Sequence, residues 1–256
     1  MRSLFPQSVP VFLLLLAVPA KAWANPSEEM ELARRITASQ VPLEKLPEAF
    51  RQKVGDVLDQ SASIYSRSAV TAFPCKPAVY HWLVENPHWG FRAWKALGSK
   101  CATVEMKDGG CFVGTDNSGS EFKVQTIYRE PGRRIWYAEG MAKPTPLSAP
   151  VNVKAVLLLK YQEVQGVDGR IGIRQRAEMF AQVDTKAIGL LAKLWGVSGE
   201  TVAAKAVEQV DLFFSGMSWY ITEHPAWAKT TLQPMNGVRP EEVKQIEAML
   251  REIGAP

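Results

Sequence analysis

Any catalysis in this chain would have to start from Glu139 or from the three histidines, His81, His88 and His224. A carboxylate inside an apolar stretch can act as a general base when burial raises its pKa. The histidines show neither H-x-H nor H-x-x-x-H spacing, so no metal site is expected. His81 precedes Glu85 by four residues, the spacing of a pair on a helix surface. No G-x-S-x-G elbow occurs, and no P-loop or G-x-G-x-x-G follows a strand, so neither hydrolase nor nucleotide chemistry has a signature and no cofactor is expected. Cys75, Cys101 and Cys111 are odd in number and form no C-x-x-C, which leaves one unpaired and gives no thioredoxin-like site. Cys101 and Cys111 flank a hairpin in which Met106 and Cys111 would pair first, so Cys75 with Cys101 is the bridge to expect if one forms. Three buried thiols are the alternative.

The elements that must position these residues begin after a leader. Residues 11–19 are apolar, Arg2 precedes them, and Ala22-Trp23-Ala24 supplies the small residues that signal peptidase reads. The run is shorter than the roughly 20 residues a membrane span needs. Cleavage after Ala24 is expected, placing the protein in the periplasm or outside the cell. No cysteine adjoins the cleavage site, which argues against a lipid anchor, and no later segment is long and apolar enough to span. The formal charge is only +4 in 256 residues, without the concentrated basic patch that nucleic-acid binding requires.

Residues 26–38 and 47–60 read as helices, 64–73 as a strand, and 77–86 and 88–97 as two short helices separated at Pro87. A meander follows: 101–106 and 111–116 joined at Lys107-Asp108-Gly109-Gly110, then 121–129, 133–142, 151–162 and 170–183. Residues 185–222 read as helical with a break at Gly196 and Gly199, and Ser198 caps the longer half. Its apolar stripe is Val202, Ala206, Val210, Phe213, Met217 and Tyr220. A last amphipathic helix covers 240–252.

This order resembles the START-like, or SRPBCC, superfamily with its helix-grip (Bet v 1-like) fold. Pro77-Ala78-Val79-Tyr80-His81-Trp82-Leu83 followed by Asn86-Pro87-His88-Trp89 is similar to that superfamily's first helix pair. The resemblance implies an α+β fold, a curved antiparallel sheet of about seven strands wrapped on a long C-terminal helix, with helical extensions at both ends. The chain then divides into a signal peptide (1–24), a helical extension (25–63), the helix-grip domain (64–224) and a tail with an amphipathic helix (225–256). Superfamily members include lipid carriers, receptors, cyclases and chaperone regulators, so the resemblance implies a class of ligand and not an activity.

Alternation along the strands assigns one apolar face: Phe122, Val124, Thr126 and Tyr128; Ile135, Tyr137, Glu139 and Met141; Val153, Ala155, Leu157, Leu159 and Tyr161; Ile173, Gln175, Ala177 and Met179. The other face, with Lys123, Gln125, Arg129, Lys154, Lys160, Arg174, Arg176 and Glu178, is expected in water. A cavity between the apolar face and the long helix would be lined by Thr126, Tyr137, Glu139, Leu157, Tyr161, Gln175, Phe213, Met217 and Tyr220. Sparse polar groups in an apolar pocket orient a small ligand. The expected function is non-catalytic binding of a lipid or other hydrophobic small molecule, with peripheral membrane contact left open. An enzyme of the same fold and an envelope interaction protein with a filled core are the alternatives. Of the eight tryptophans, Trp82, Trp89, Trp94, Trp195 and Trp219 fall on helices, where aromatics usually pack the core.

Overall fold

The computed structural model describes residues 28–59, 64–116, 119–143, 150–183, 198–232 and 239–254. The leader, Trp195 and all of the helical expectation before Ser198 lie outside these residues. Helices α1 (Glu28–Ser39) and α2 (Glu48–Asp59) come first. The strand expected over 64–73 is two, β1 (Ile64–Arg67) and β2 (Thr71–Pro74). The break falls at Ser68, whose hydroxyl takes the Ala177 N–H at 3.0 Å while its own N–H donates to the Ala177 carbonyl. Helices α3 (Pro77–Glu85) and α4 (Pro87–Ala96) each open on a proline, which suits a first helical position.

The meander is β3 (Thr103–Lys107), β4 (Cys111–Thr115), β5 (Glu121–Glu130), β6 (Arg133–Ala142), β7 (Val151–Gln165) and β8 (Ile171–Val183). Lys107, not Met106, is the residue opposite Cys111. The antiparallel sheet runs β1-β8-β7-β6-β5-β4-β3, and β2 joins β8 beside β1. Helix α5 (Gly199–Glu223) follows, capped by the Ser198 hydroxyl, which accepts from the Thr201 N–H. Helix α6 (Pro225–Leu232) was not legible in the sequence; α7 (Pro240–Glu252) was. The fold is α+β and of helix-grip type, an open antiparallel sheet carrying a long helix near its C-terminus.

Both faces of this sheet are covered, which corrects the expectation of one solvated face. On the first face Trp136, Leu159, Ile173 and Ala177 pack with α3, α4, α5, α6 and α7. On the second, Ile135, Tyr137, Val156, Leu158 and Phe180 pack with Val54, Val57 and Leu58 of α2 and Ala33 of α1. Glu178, expected in water, is buried under α1. The molecule is therefore three layers deep, with one sheet between two apolar cores.

A β-bulge between Thr126 and Tyr128 sets which residues meet which core. Before it, Thr126 lies opposite Trp136 on the first face; after it, Tyr128 lies opposite Ile135 on the second. Tyr128 was expected beside Thr126, and Arg129 on the opposite face; the extra residue exchanges them. The buried row of α5 is also turned from the expected stripe. Ala203, Val207, Asp211, Phe214, Ser218 and Ile221 are buried together with Phe213 and Met217, while Val202, Ala206, Val210 and Tyr220 are only half-buried. Asp211 and Ser218 interrupt that row with polar side chains, which hides it from an apolar count.

Candidate functional site

The first face of the sheet divides in two. Under α3 and α5 it is filled. Trp136 stacks on Phe214 with ring centroids 5.9 Å apart, and Phe213 stacks on Phe91 at 4.5 Å. Tyr80, fully buried on α3, donates to Gln175 Oε1 at 2.7 Å. Gln175 in turn donates to the Asp211 carbonyl at 2.8 Å and to its carboxylate at 3.0 Å. Thr71 and Ser68 complete the Asp211 shell at 2.9 and 3.3 Å. Burial raises the Asp211 carboxyl above its ordinary value, and these three hydrogen bonds work against that rise. The network ties α3, α5, the β1–β2 edge and β8 together with every polar atom named here engaged.

Toward the end of β6 the face changes character. Register puts Ala138, Ala155 and Ala181 in one cross-strand row and Gly140, Val153 and Val183 in the next. Phe122, Val124, Leu157 and Met179 beside them are half-buried apolar residues. A pocket of about 450 Å³ lies at this end of the sheet on the opposite, second face, where Glu139, Met141, Asn152, Lys154 and Gln182 project around Gly140, Val153 and Val183. That volume falls within the range of small-molecule sites.

The nine residues expected around one cavity are split by this architecture. Gln175 belongs to the filled half, as do Phe213 and Met217. Leu157 and Thr126 lie on the floor, and Tyr161 sits at the far rim, its ring 5.1 Å from that of Tyr80. Tyr220 packs outside the sheet with His224 and Trp227, at 4.3 and 4.9 Å. Tyr137 and Glu139 project from the second face. Tyr137 packs on Phe50 of α2 at 5.6 Å, and Glu139 accepts from Lys53 of α2 at 3.0 Å and from the Tyr137 hydroxyl at 3.2 Å. Partial burial would raise the Glu139 carboxyl, but the Lys53 and Tyr137 contacts win and hold it below the usual carboxylate range. A general base needs the opposite shift.

The remaining candidates are accounted for individually. His81 pairs with Glu163 of β7 at 3.8 Å and not with Glu85, which turns to Arg129 and Arg134. His88 is buried against Phe112, 3.5 Å from Glu242 of α7, and both its ring nitrogens lack a hydrogen bond among the described residues. Burial holds it neutral, below the usual histidine range, although Glu242 pulls the other way. Cys75, Cys101 and Cys111 are all buried and free, so the Cys75–Cys101 bridge is not formed. Among the described residues no group of three or more His, Cys, Asp or Glu could hold a metal ion, and no helix is long and apolar enough to cross a membrane. Trp82 and Trp89 are buried and Trp94 half-buried, whereas Trp219 is exposed.

No family model and no curated protein matches the chain. Among solved structures it is similar to a conserved protein from Geobacillus kaustophilus, 11% identical with a TM-score of 0.34, over 63% of this chain and 93% of that one. A putative uncharacterized protein from Rhizobium leguminosarum is 13% identical with a TM-score of 0.34, over 59% and 97% of the two chains. Norcoclaurine synthase from Thalictrum flavum is 14% identical with a TM-score of 0.33, over 60% and 91%. Scores at this level add nothing to the sheet and helix geometry, which stands by itself.

Proposed function

We propose that the chain is an exported, non-catalytic protein of the START-like kind that holds a hydrophobic small molecule or lipid on the open half of the first sheet face. The supporting observation is the pair of small-residue rows, Ala138–Ala155–Ala181 and Gly140–Val153–Val183, on that half of the first face. Small side chains in register leave room above a sheet where large ones would fill it. Export rests on the leader, whose apolar run and Ala22-Trp23-Ala24 are those of a cleaved signal. The filled half of the face, with its closed Tyr80–Gln175–Asp211 network, acts as the rigid wall against which such a floor is held.

Two tryptophan substitutions separate the halves. Ala155→Trp on the floor should abolish uptake of an apolar fluorescent probe with little change in stability. Ala177→Trp, under the helices and fully buried, should overpack the core and cost roughly 1–3 kcal/mol or more. Organic extraction of protein purified from its host, read by mass spectrometry, should release the bound molecule. If wild type takes up no probe and Ala155→Trp is as damaging as Ala177→Trp, the floor is solid core and the reading fails.

A further inference from the structure

The bulge in β5 has placed two arginines face to face. Arg129 of β5 and Arg134 of β6 are directly opposed in the register, on the face that α3 covers. Like charges directly opposite across a strand pair repel, so such a pair needs an anion between them. Glu85, the last residue of α3, supplies one, with Oε2 3.3 Å from Arg129 Nε and Oε1 on Arg134 Nη2. One carboxylate thus spans two guanidinium groups and leaves a positive charge in excess. Its own position is poor, because the C-terminal end of a helix carries partial negative charge.

Three further features show that the site is not saturated. Arg134 is 6% exposed, and its Nε has no hydrogen-bond partner among the described residues. Tyr161 is the next residue on this face after Leu159, which is opposite Arg134; a diagonal neighbour across strands lies about 7–8 Å away. Its hydroxyl makes no hydrogen bond among the described residues. The Glu85 side chain is 42% exposed and can swing into water, whereas that of Arg134 cannot. The other charged groups on the rim, His81 and Glu163, face each other and not the arginines.

We propose that Arg129, Arg134 and Tyr161 form a binding site for the carboxylate of a small-molecule ligand, and that Glu85 occupies it as a resident surrogate until the ligand displaces it. Two guanidinium groups suit a planar carboxylate, each taking one oxygen, and the phenol donates a third hydrogen bond. The proposal is independent of the apolar floor.

The test uses acetate, which has no apolar tail to rest on that floor, and inorganic phosphate as the competing oxyanion. Binding is followed through the arginine Nε–H resonances of the full chain. Glu85→Gln removes the surrogate's charge and should bind acetate at least about tenfold more tightly than wild type. Adding Arg129→Gln, at a half-exposed position that the fold tolerates, should reverse that gain by a similar factor. Acetate binding tighter than phosphate confirms the carboxylate assignment, and the reverse order overturns it. Unsaturable titration of Glu85→Gln, or equal affinity with and without Arg129, overturns the site itself.

Discussion

Tyr80 and Gln175 lie 95 residues apart in the chain and meet in the middle of the molecule, with the phenol donating to the side-chain carbonyl at 2.7 Å. Both are essentially inaccessible to solvent. Burial raises the Tyr80 phenol well above its ordinary value, so it stays a donor throughout the working pH range. The contact fixes the amide orientation of Gln175, which in turn points its NH₂ at Asp211.

Tyr80→Phe keeps the ring packing and removes only the donor. It leaves Gln175 Oε1 buried without a partner, which should cost about 1–3 kcal/mol in urea unfolding. Gln175→Leu should cost more, because it strands the phenol and also removes two hydrogen bonds from Asp211. The double substitution should fall short of the sum of the two, since the residues share one network.

His88 gives the protein an acid limit. Its neutral form is favoured in the folded state, so the unfolded chain takes up its proton first as pH falls. Stability should hold above the ordinary histidine value and decline below it, through pH 6 and 5. Burial sets this, Arg239 just before α7 and Arg92 on α4 add to it, and Glu242 of α7 opposes it. His88→Phe preserves stacking on Phe112 and leaves Glu242 with Arg239. Urea midpoints at pH 7 and 5 should differ less in His88→Phe than in wild type; an unchanged difference would acquit this histidine.

The three cysteines should titrate as three thiols in non-reducing denaturant and react slowly in the folded protein. Burial pushes the Cys75 thiol up to about 12 and raises that of Cys101, so little thiolate exists at neutral pH. Two thiols missing from the denatured count would establish a disulfide that the structure lacks, and peptide mapping would show whether it joins Cys75 to Cys101.

The order of elements was legible because each meander strand carries its own turn signal, as at Gly109, whose φ of 72° a glycine accepts without strain. The face assignment in β6 was not. Ile135 and Tyr137 are as apolar as Trp136 and Ala138, because α2 covers the first pair and the α3–α5 layer faces the second. Alternation distinguishes inside from outside only where one side is wet. Glu139 followed its apolar neighbours into the wrong layer for that reason. The bulge after Thr126 leaves no trace in composition, so Tyr128 and Arg129 exchanged faces unseen. Arg134 was not singled out at all. Two arginines around one glutamate from a helix end 44 residues earlier are a product of register, which a linear reading does not contain.

The same strands that separate the two cores also join them. Val156 and Leu158 of β7 belong to the layer beneath α2, and Leu157 and Leu159 to the layer beneath α5. Neighbouring peptide units therefore serve opposite sides, and neither helical layer can detach without uncovering a sheet that the other still needs. Heat or denaturant should consequently meet a single cooperative unit. Calorimetric and van't Hoff enthalpies should agree, with no separate melting of the N-terminal helices before the rest.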